Sequence, residues 1–161
     1  FDKNGQFAIS GKKNDIILEQ AQELFANRPN KDKRSLDTND FDISFARGLN
    51  LEDGSATLTE FTASIIGDSL NGLFKNYSDK IKNIFLCGGG RKNDFLVKKI
   101  KSYISKDINI ELIDKLKIDG DFIESRAFAF LAIRTLKNLP ISFPNTTGCK
   151  KPCVGGKIVE S

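Results

Sequence analysis

The sequence predicts an α/β fold built on a parallel strand–helix–strand unit. An apolar run that ends in the three glycines 88–90 predicts a strand over 82–87, buried on both faces and followed by a tight turn. Apolar residues at helical spacing predict a helix over 93–104, and alternating apolar and polar residues predict a second strand over 108–112. Because the two strands are joined by a helix through short connections, we expect them to pair in parallel.

The chain before this unit is expected to be mainly helical. Residues 1–12 are rich in Gly, Asn and Lys and predict a loop, whereas apolar spacing predicts a helix over 14–27. Residues 40–51 predict a short helix, although the alternation within 41–45 also fits a strand.

Two longer helices are predicted from cap patterns. After a turn at 52–56, the S/T-x-x-E pattern of Thr57–Glu60 is typical of a capping box and predicts a long helix over 57–76. A segment rich in Ala and Phe predicts a helix over 121–138 that is buried on most sides. The tail is expected to be extended, with a short strand near 154–159.

Length, charge and hydropathy limit the class of protein. A chain of 161 residues is long enough for one domain with a core. The net charge of +4 comes from scattered lysines without interleaved aromatics, which argues against nucleic-acid binding. No apolar run approaches the roughly 18 residues that a bilayer span requires. Because the chain does not begin with Met, we expect a fragment or a processed chain.

The cysteines and the absence of histidine restrict the chemistry. Cys87 is expected to be a small core residue in the first strand, and Cys149-x-x-x-Cys153 lacks zinc-finger spacing. We therefore expect no metal-ligating residues and a reduced, cytoplasmic thiol state. Without any His, the chain has neither Ser-His-Asp nor Cys-His catalysis.

The glycine turn, residues 88–90, is the first candidate binding site. Ligands of parallel α/β sheets lie beyond the carboxyl ends of the strands, and a strand–turn–helix arrangement presents backbone N–H groups there. Asn93 fits a helix N-cap, but it stands where the dinucleotide pattern requires a third glycine, and no P-loop Lys-Ser/Thr follows. The alternative is a strand-to-helix connection that needs glycine only for its backbone angles.

An acidic cluster after the second strand is the second candidate site. Asp119, Asp121 and Glu124 lie where carboxylates could hold Mg²⁺, position a water or act as a general base. The alternative for Glu124 is structural, because Asp121 three residues before it would complete a helix cap.

Five blocks of the sequence, taken in order, resemble the carboxyl-terminal half of the anhydro-N-acetylmuramic acid kinase family. They are KRSLDTNDF at 33–41, DGSATLTEFTASII at 53–66, GGGRKNDFL at 88–96, DGDFIESRAFAFL at 119–131 and PNTTGCKKPCVGG at 144–156. The resemblance covers essentially the whole chain. It implies an incomplete ribonuclease-H-like lobe of the actin/hexokinase-like ATPase superfamily, with a parallel βαβ core and flanking helices.

The resemblance also implies an activity and its partners. The family opens 1,6-anhydro-N-acetylmuramic acid hydrolytically and phosphorylates O6 with ATP and Mg²⁺, during recycling of the bacterial cell wall in the cytoplasm. The expected partners are this sugar, an amino-terminal lobe missing from these residues and a second copy in a homodimer. Neither a nucleic acid nor a membrane is expected.

Individual residues match positions of the family's motifs. The resemblance implies that the glycine turn and the Asn after it contact the adenosine part of ATP, at Gly88, Gly89, Gly90 and Asn93. It implies that Glu124 reaches toward the sugar and the attacking water. Thr57, Thr59 and Thr62 match a helix that borders the cleft, and Thr146, Thr147 and Gly148 match a tail motif without an assigned role.

Departures from the family pattern limit what these residues can do alone. The phosphate-binding loop and the catalytic aspartate motif would precede Phe1, so we expect the 161 residues to be inactive by themselves. Residues 34–37 depart from the usual Lys-Ser-Thr-Gly, and Cys149 replaces a usual Ala. One alternative is a non-catalytic nucleotide-binding module. Another is a kinase for a different sugar, which the blocks at 53–66 and 144–156 disfavour.

Overall fold

The computed structural model describes residues 2–29, 36, 38–77 and 81–159, and it divides into two compact units. Unit 1 comprises residues 1–28 and 42–121, and unit 2 comprises residues 29–41 and 122–161. The departure at 34, 35 and 37 lies outside the described residues. The helices and strands are α1 Gln6–Ser10, α2 Asp15–Ala26, α3 Leu51–Tyr77, β1 Asn83–Leu86, α4 Asp94–Ser102, β2 Asn109–Leu112, α5 Ile123–Leu136 and α6 Pro144–Thr147.

The parallel pairing of the two strands is confirmed. β1 and β2 run parallel, with Asn83 opposite Asn109 and Leu86 opposite Leu112. The predicted burial of β1 on both faces is wrong, since its residues are exposed or half-buried. Cys87 is exposed and is not a core residue, because it follows the last paired position of the strand.

Helix α3 organises two apolar cores in unit 1. One core packs α3 against α4 and the sheet, with Ala63, Phe74, Ile100, Ile104 and Ile110 buried. The other packs α2 against α3 through Leu18, Ala21 and Phe61. In that second core the Phe61 ring meets the Phe45 ring edge-on at 5.0 Å between centroids, a favoured aromatic geometry.

Helix α3 begins at Leu51, so the predicted turn at 52–56 and the capping box at Thr57 are wrong. Asn50 caps the helix instead: its Oδ1 accepts a hydrogen bond from Asp53 N at 2.8 Å, and its Nδ2 donates to Asp53 Oδ2 at 2.9 Å. Glu60 is drawn into the core, where it accepts from Tyr103 Oη at 2.8 Å and pairs with Lys99 Nζ at 2.7 Å. The pattern at Thr57–Glu60 does not cap the helix, because the Asn50–Asp53 pair seven residues earlier satisfies the N–H group of Asp53 at the start of α3.

The predicted loop over 1–12 is also wrong, because it contains a 3-10 turn at Lys3–Gly5 and helix α1. Asp2 holds this segment together: its carboxylate accepts hydrogen bonds from Phe7 N at 2.8 Å and Ala8 N at 3.1 Å. These bonds satisfy donors at the start of a helix that would otherwise be unpaired.

The close contact between Gly11 and α3 gives a testable prediction. A Cβ at position 11 would lie 2.0 Å from Glu52 O and 2.2 Å from Glu52 C. Because backbone atoms cannot rotate away, we expect Gly11→Ala to lower the free energy of unfolding by about 1–3 kcal/mol. Urea denaturation measures this loss. Gly72→Ala, where an added Cβ meets open space, is the matched control and should not destabilise. Equal stability of both variants would contradict the predicted clash.

The described part of unit 2 contains a 3-10 helix at Thr38–Asp40, the helices α5 and α6, and an irregular tail. Ser142 and Cys153 form an isolated antiparallel bridge, and Thr135 Oγ1 donates to Gly155 O at 2.9 Å. No strand forms over 154–159 within the described residues, so that prediction is wrong.

Helix α5 departs from its prediction in two ways. Its N-cap is Phe122, without a side-chain hydrogen bond, so the cap predicted from Asp121 and Glu124 does not form. Within the described residues it is not buried on most sides, since none of its residues is buried. Four large apolar side chains are more than half exposed, namely Phe128, Phe130, Ile133 and Leu136. Among the described residues, no helix combines the length and hydropathy needed to cross a membrane.

Candidate functional site

The glycine turn connects β1 to α4 with backbone angles that explain its composition. Gly88 has φ +79° and ψ 176°, a region that side chains other than hydrogen rarely allow. A 3-10 turn over Gly89–Lys92 follows. Asn93 then caps α4, as predicted, by accepting a hydrogen bond from Leu96 N at 3.0 Å. The cap fixes where the turn ends and the helix begins.

A buried arginine ties the glycine turn to the loop after β2. Arg91 is only 6% exposed. Its Nε and Nη2 donate to the two carboxylate oxygens of Asp114 at 2.7 and 2.9 Å, and its Nη1 donates to Asp121 Oδ1 at 2.6 Å. The same Nη1 donates to Gly88 O at 3.0 Å. Bidentate pairing of an arginine with a carboxylate fixes the relative orientation of the two side chains and also neutralises their charges.

Close backbone approach supports this connection. Gly88 N donates to Gly120 O at 3.1 Å, and a Cβ at Gly120 would lie 2.4 Å from Arg91 Nε. Gly120 is therefore needed for the arginine to fit. Arg91 was not predicted from the sequence, where the available signal was one Arg after the glycines and several Asp residues after the next strand.

The carboxylates that surround Arg91 form ion pairs with Arg91 and Lys92. The hydrogen bonds from Arg91 lower the pKa of Asp114 to about 2. Hydrogen bonds from Lys92 and then Arg91 lower the pKa of Asp121 below its usual value. Asp119 Oδ1 lies 3.9 Å from Arg91 Nη2 and accepts from Asp121 N. These contacts favour a structural role for the two predicted acidic candidates, Asp119 and Asp121.

The glycine turn lines a pocket of about 470 Å³ in unit 1. Pockets that bind small molecules usually measure about 300–1,000 Å³, so this one has the size for a ligand. Gly89 faces it freely, since an added Cβ there would meet no atom within 4 Å. Gly88 adjoins the pocket without lining it. The lining residues are Asp2, Lys3, Asn4, Gly89, Gly90, Lys92, Asn93 and Leu96.

Glu124 lies in the first turn of α5, in unit 2, and is exposed. Within the described residues its carboxylate makes no hydrogen bond or ion pair, and it does not cap the helix. Asp121, its proposed capping partner, instead pairs with Lys92 Nζ at 2.5 Å. The structural alternative for Glu124 is therefore wrong, and the side chain is available for other contacts.

The threonines matched to family motifs make local bonds. Thr57 is fully buried; its Oγ1 accepts from Asn14 N at 3.0 Å and donates to Asp53 O at 2.7 Å. Thr62 Oγ1 donates to Leu58 O at 2.8 Å. In unit 2, the hydroxyls of Thr146 and Thr147 donate to Phe143 O. These bonds give Thr57 a packing role that links the start of α2 to α3.

Comparisons with known proteins agree along the whole chain. The family model described as Anhydro-N-acetylmuramic acid kinase matches residues 1–161. The anhydro-N-acetylmuramic acid kinase of Pelagibacter ubique is 47% identical over 161 residues, which are 100% of this chain and 43% of the relative. Those of Zymomonas mobilis and Brucella anthropi are 36% and 37% identical, over 98% of this chain and 41% of each relative.

The chain thus spans about two fifths of the length of the curated relatives that it matches. The family match includes both the glycine turn and the segment that carries Glu124. Because the family model covers every residue, the chain belongs to the anhydro-N-acetylmuramic acid kinase family.

Proposed function

We propose that this chain is the carboxyl-terminal portion of a kinase that opens 1,6-anhydro-N-acetylmuramic acid and phosphorylates its O6 with ATP. The observation that carries the proposal is the family match over residues 1–161. The pocket at the glycine turn supports it, because Gly89, Gly90 and Asn93 lie together at the carboxyl end of β1. In open α/β sheets, that end is where nucleotides bind.

The reaction assigns a task to Glu124. Water adds to the anomeric carbon, the bond from that carbon to O6 breaks, and O6 takes the γ-phosphoryl group while ADP leaves. N-acetylmuramic acid 6-phosphate is the product, within cytoplasmic cell-wall recycling. We assign Glu124 to the sugar and the attacking water, which is supported by its exposed carboxylate without an ion pair among the described residues. A positioned carboxylate can accept the proton that water loses.

The described residues do not supply a metal site. Within them, no group of three or more Cys, Asp or Glu side chains is placed to hold a metal ion. Asp114 and Asp121 are already neutralised by Arg91 and Lys92. We expect Mg²⁺ to accompany ATP, as the family implies, and assign no described residue to it.

The fold of the intact protein is part of the same proposal. We place these residues in a ribonuclease-H-like lobe whose sheet is completed by residues outside the 161. The amino-terminal lobe would supply the phosphate-binding loop and the catalytic aspartate. This chain alone should therefore bind nucleotide weakly and show no kinase activity. Mixing it with the amino-terminal lobe should restore ADP release.

Gly89→Val tests whether the glycine turn contacts the nucleotide. The added side chain would enter the pocket without striking the protein, since a Cβ at position 89 has no neighbour within 4 Å. We expect the Kd for ADP to rise about tenfold or more, with unchanged thermal stability, measured by calorimetric titration of the whole gene product. Gly48→Val, also open and outside the pocket, is the matched control. Unchanged affinity in Gly89→Val would make the turn purely structural.

The activity itself is tested with the whole gene product. ADP release should depend on the anhydro sugar and be absent with N-acetylmuramic acid, which has no 1,6-anhydro bridge to open. Tight nucleotide binding by the 161 residues alone, without Mg²⁺ and without ADP release by the whole product, would favour the non-catalytic module instead. Release with a different anhydro sugar only would reassign the substrate.

A further inference from the structure

The pocket at the glycine turn is also lined by the turn at Asp2–Gly5, near the start of the chain. Asp2, Lys3 and Asn4 line the same cavity as Gly89, Gly90 and Lys92. Nothing in the resemblance assigns a role to these residues. Their position raises the question of which part of a ligand they would contact.

The Asp2–Gly5 turn is built to approach the glycine turn closely. Asn4 and Gly5 both have positive φ, 58° and 74°, which costs free energy for Asn4 and favours glycine at the second position. A Cβ at Gly5 would lie 2.6 Å from both Asn93 Oδ1 and Phe95 Cβ. Gly5 is therefore required for this turn to pack against the start of α4.

The charged side chains that line the pocket differ in whether they already have partners. The pocket is lined by Lys3, Lys92 and one carboxylate, Asp2. Both oxygens of Asp2 accept backbone N–H groups of α1, and Lys92 is paired with Asp121. Lys3 is exposed, and no ion pair to it is found within the described residues. Lys3 is thus a cation at the pocket whose charge is available to a ligand.

The other lining suits an uncharged ring system. Gly89, Gly90 and Leu96 present backbone and an aliphatic side chain. A ligand that fits both halves carries a flat or apolar part and an anionic part, as a nucleotide does. Lysine binds phosphate as a point charge, without the fixed fork of arginine.

We infer that the Asp2–Gly5 turn forms part of the nucleotide pocket and that Lys3 binds the phosphates of the bound adenine nucleotide. This inference rests on the proposed function, in which the glycine turn contacts the adenosine part of the nucleotide. Lys3 then discriminates a nucleotide from a nucleoside. Because Lys3 would attract the phosphates by charge, its contribution to nucleotide affinity should decrease as added salt screens that attraction.

The test compares ADP with adenosine in calorimetric titrations of the whole gene product at low salt. Lys3→Ala should raise the Kd for ADP about fivefold and leave that for adenosine within about twofold. Lys3→Arg should retain affinity for ADP because it keeps the charge. Lys12→Ala removes an exposed lysine outside the pocket and should change neither Kd. Raising the salt should shrink the difference between Lys3→Ala and the unchanged protein.

The outcomes separate this inference from the proposed function. If Gly89→Val weakens ADP binding while Lys3→Ala does not, the inference is overturned and the kinase assignment stands. An equal loss for ADP and adenosine in Lys3→Ala would also overturn it, because the lysine would then not act on phosphate. If the unchanged protein binds no ADP, the proposed function and the inference both fail.

Discussion

Glu124→Gln should lower turnover of the whole gene product by roughly 10²- to 10⁴-fold, the usual contribution of a positioned acid or base. The glutamine keeps the size of the side chain and loses only the ability to take a proton from water. Because Glu124 is exposed and caps nothing within the described residues, its replacement should shift the Tm by no more than about 2 °C. Steady-state release of ADP and differential scanning calorimetry measure the two quantities.

The matched control for this variant is Glu19→Gln. Glu19 is also an exposed helical glutamate, on α2 in unit 1, and nothing assigns it to the reaction. Its replacement should change neither turnover nor Tm. A large loss of Tm in Glu124→Gln, or unchanged turnover, would contradict the role assigned to Glu124.

Arg91→Ala should produce the largest loss of stability among the charged residues of the glycine turn. It removes the cation that pairs with Asp114 and Asp121 and that donates to Gly88 O. We expect the Tm to fall by roughly 5 °C or more, because the variant loses the charge-assisted hydrogen bonds of a buried guanidinium that joins the glycine turn to the loop after β2. Lys92→Ala is the matched control: Lys92 bonds the same Asp121 but is 61% exposed, so its loss should cost less. Equal losses would contradict the structural role of the buried arginine.

The same network predicts a dependence of stability on pH. Arg91 lowers the pKa of Asp114 from 3.8 to about 2 in the folded chain. The stabilisation from this pair is therefore present above about pH 4 and lost as the pH falls toward 2. Between these values the Tm should fall more steeply in the unchanged protein than in Arg91→Ala. Parallel curves would show that the pair does not contribute.

Patterns over short stretches of sequence predicted the features that depend on neighbouring residues: the two strands, the cap of α4 and the glycine turn. The order strand, helix, strand with short connections predicted the parallel pairing of β1 and β2, since such a crossover brings the two strands side by side in the same direction. Asn93 was predicted as a cap because its carbonyl oxygen acts within one helical turn. The glycine turn was predicted from the sequence around 88–90, and in the structure Gly89 and Gly90 line one cavity with Asn93.

Features that depend on distant residues were missed. Arg91 became important only because β2 brings Asp114 and Asp121 beside it, 23 and 30 residues along the chain. The cap of α3 was misplaced because Asn50–Asp53 and Thr57–Glu60 carry the same kind of pattern, and tertiary contacts to Lys99 and Tyr103 decide what Glu60 does. The turn at Asp2–Gly5 was interpreted as loop, since nothing in that segment shows what it faces.

The most direct test of the kinase assignment follows the oxygen of water. The whole gene product is incubated with ATP, Mg²⁺, 1,6-anhydro-N-acetylmuramic acid and ¹⁸O-labelled water, and the sugar product is analysed by mass spectrometry at early times. The account predicts one ¹⁸O at the anomeric carbon of N-acetylmuramic acid 6-phosphate, unlabelled O6 and one ADP per sugar. Unphosphorylated sugar, or ¹⁸O in the phosphate alone, would contradict it.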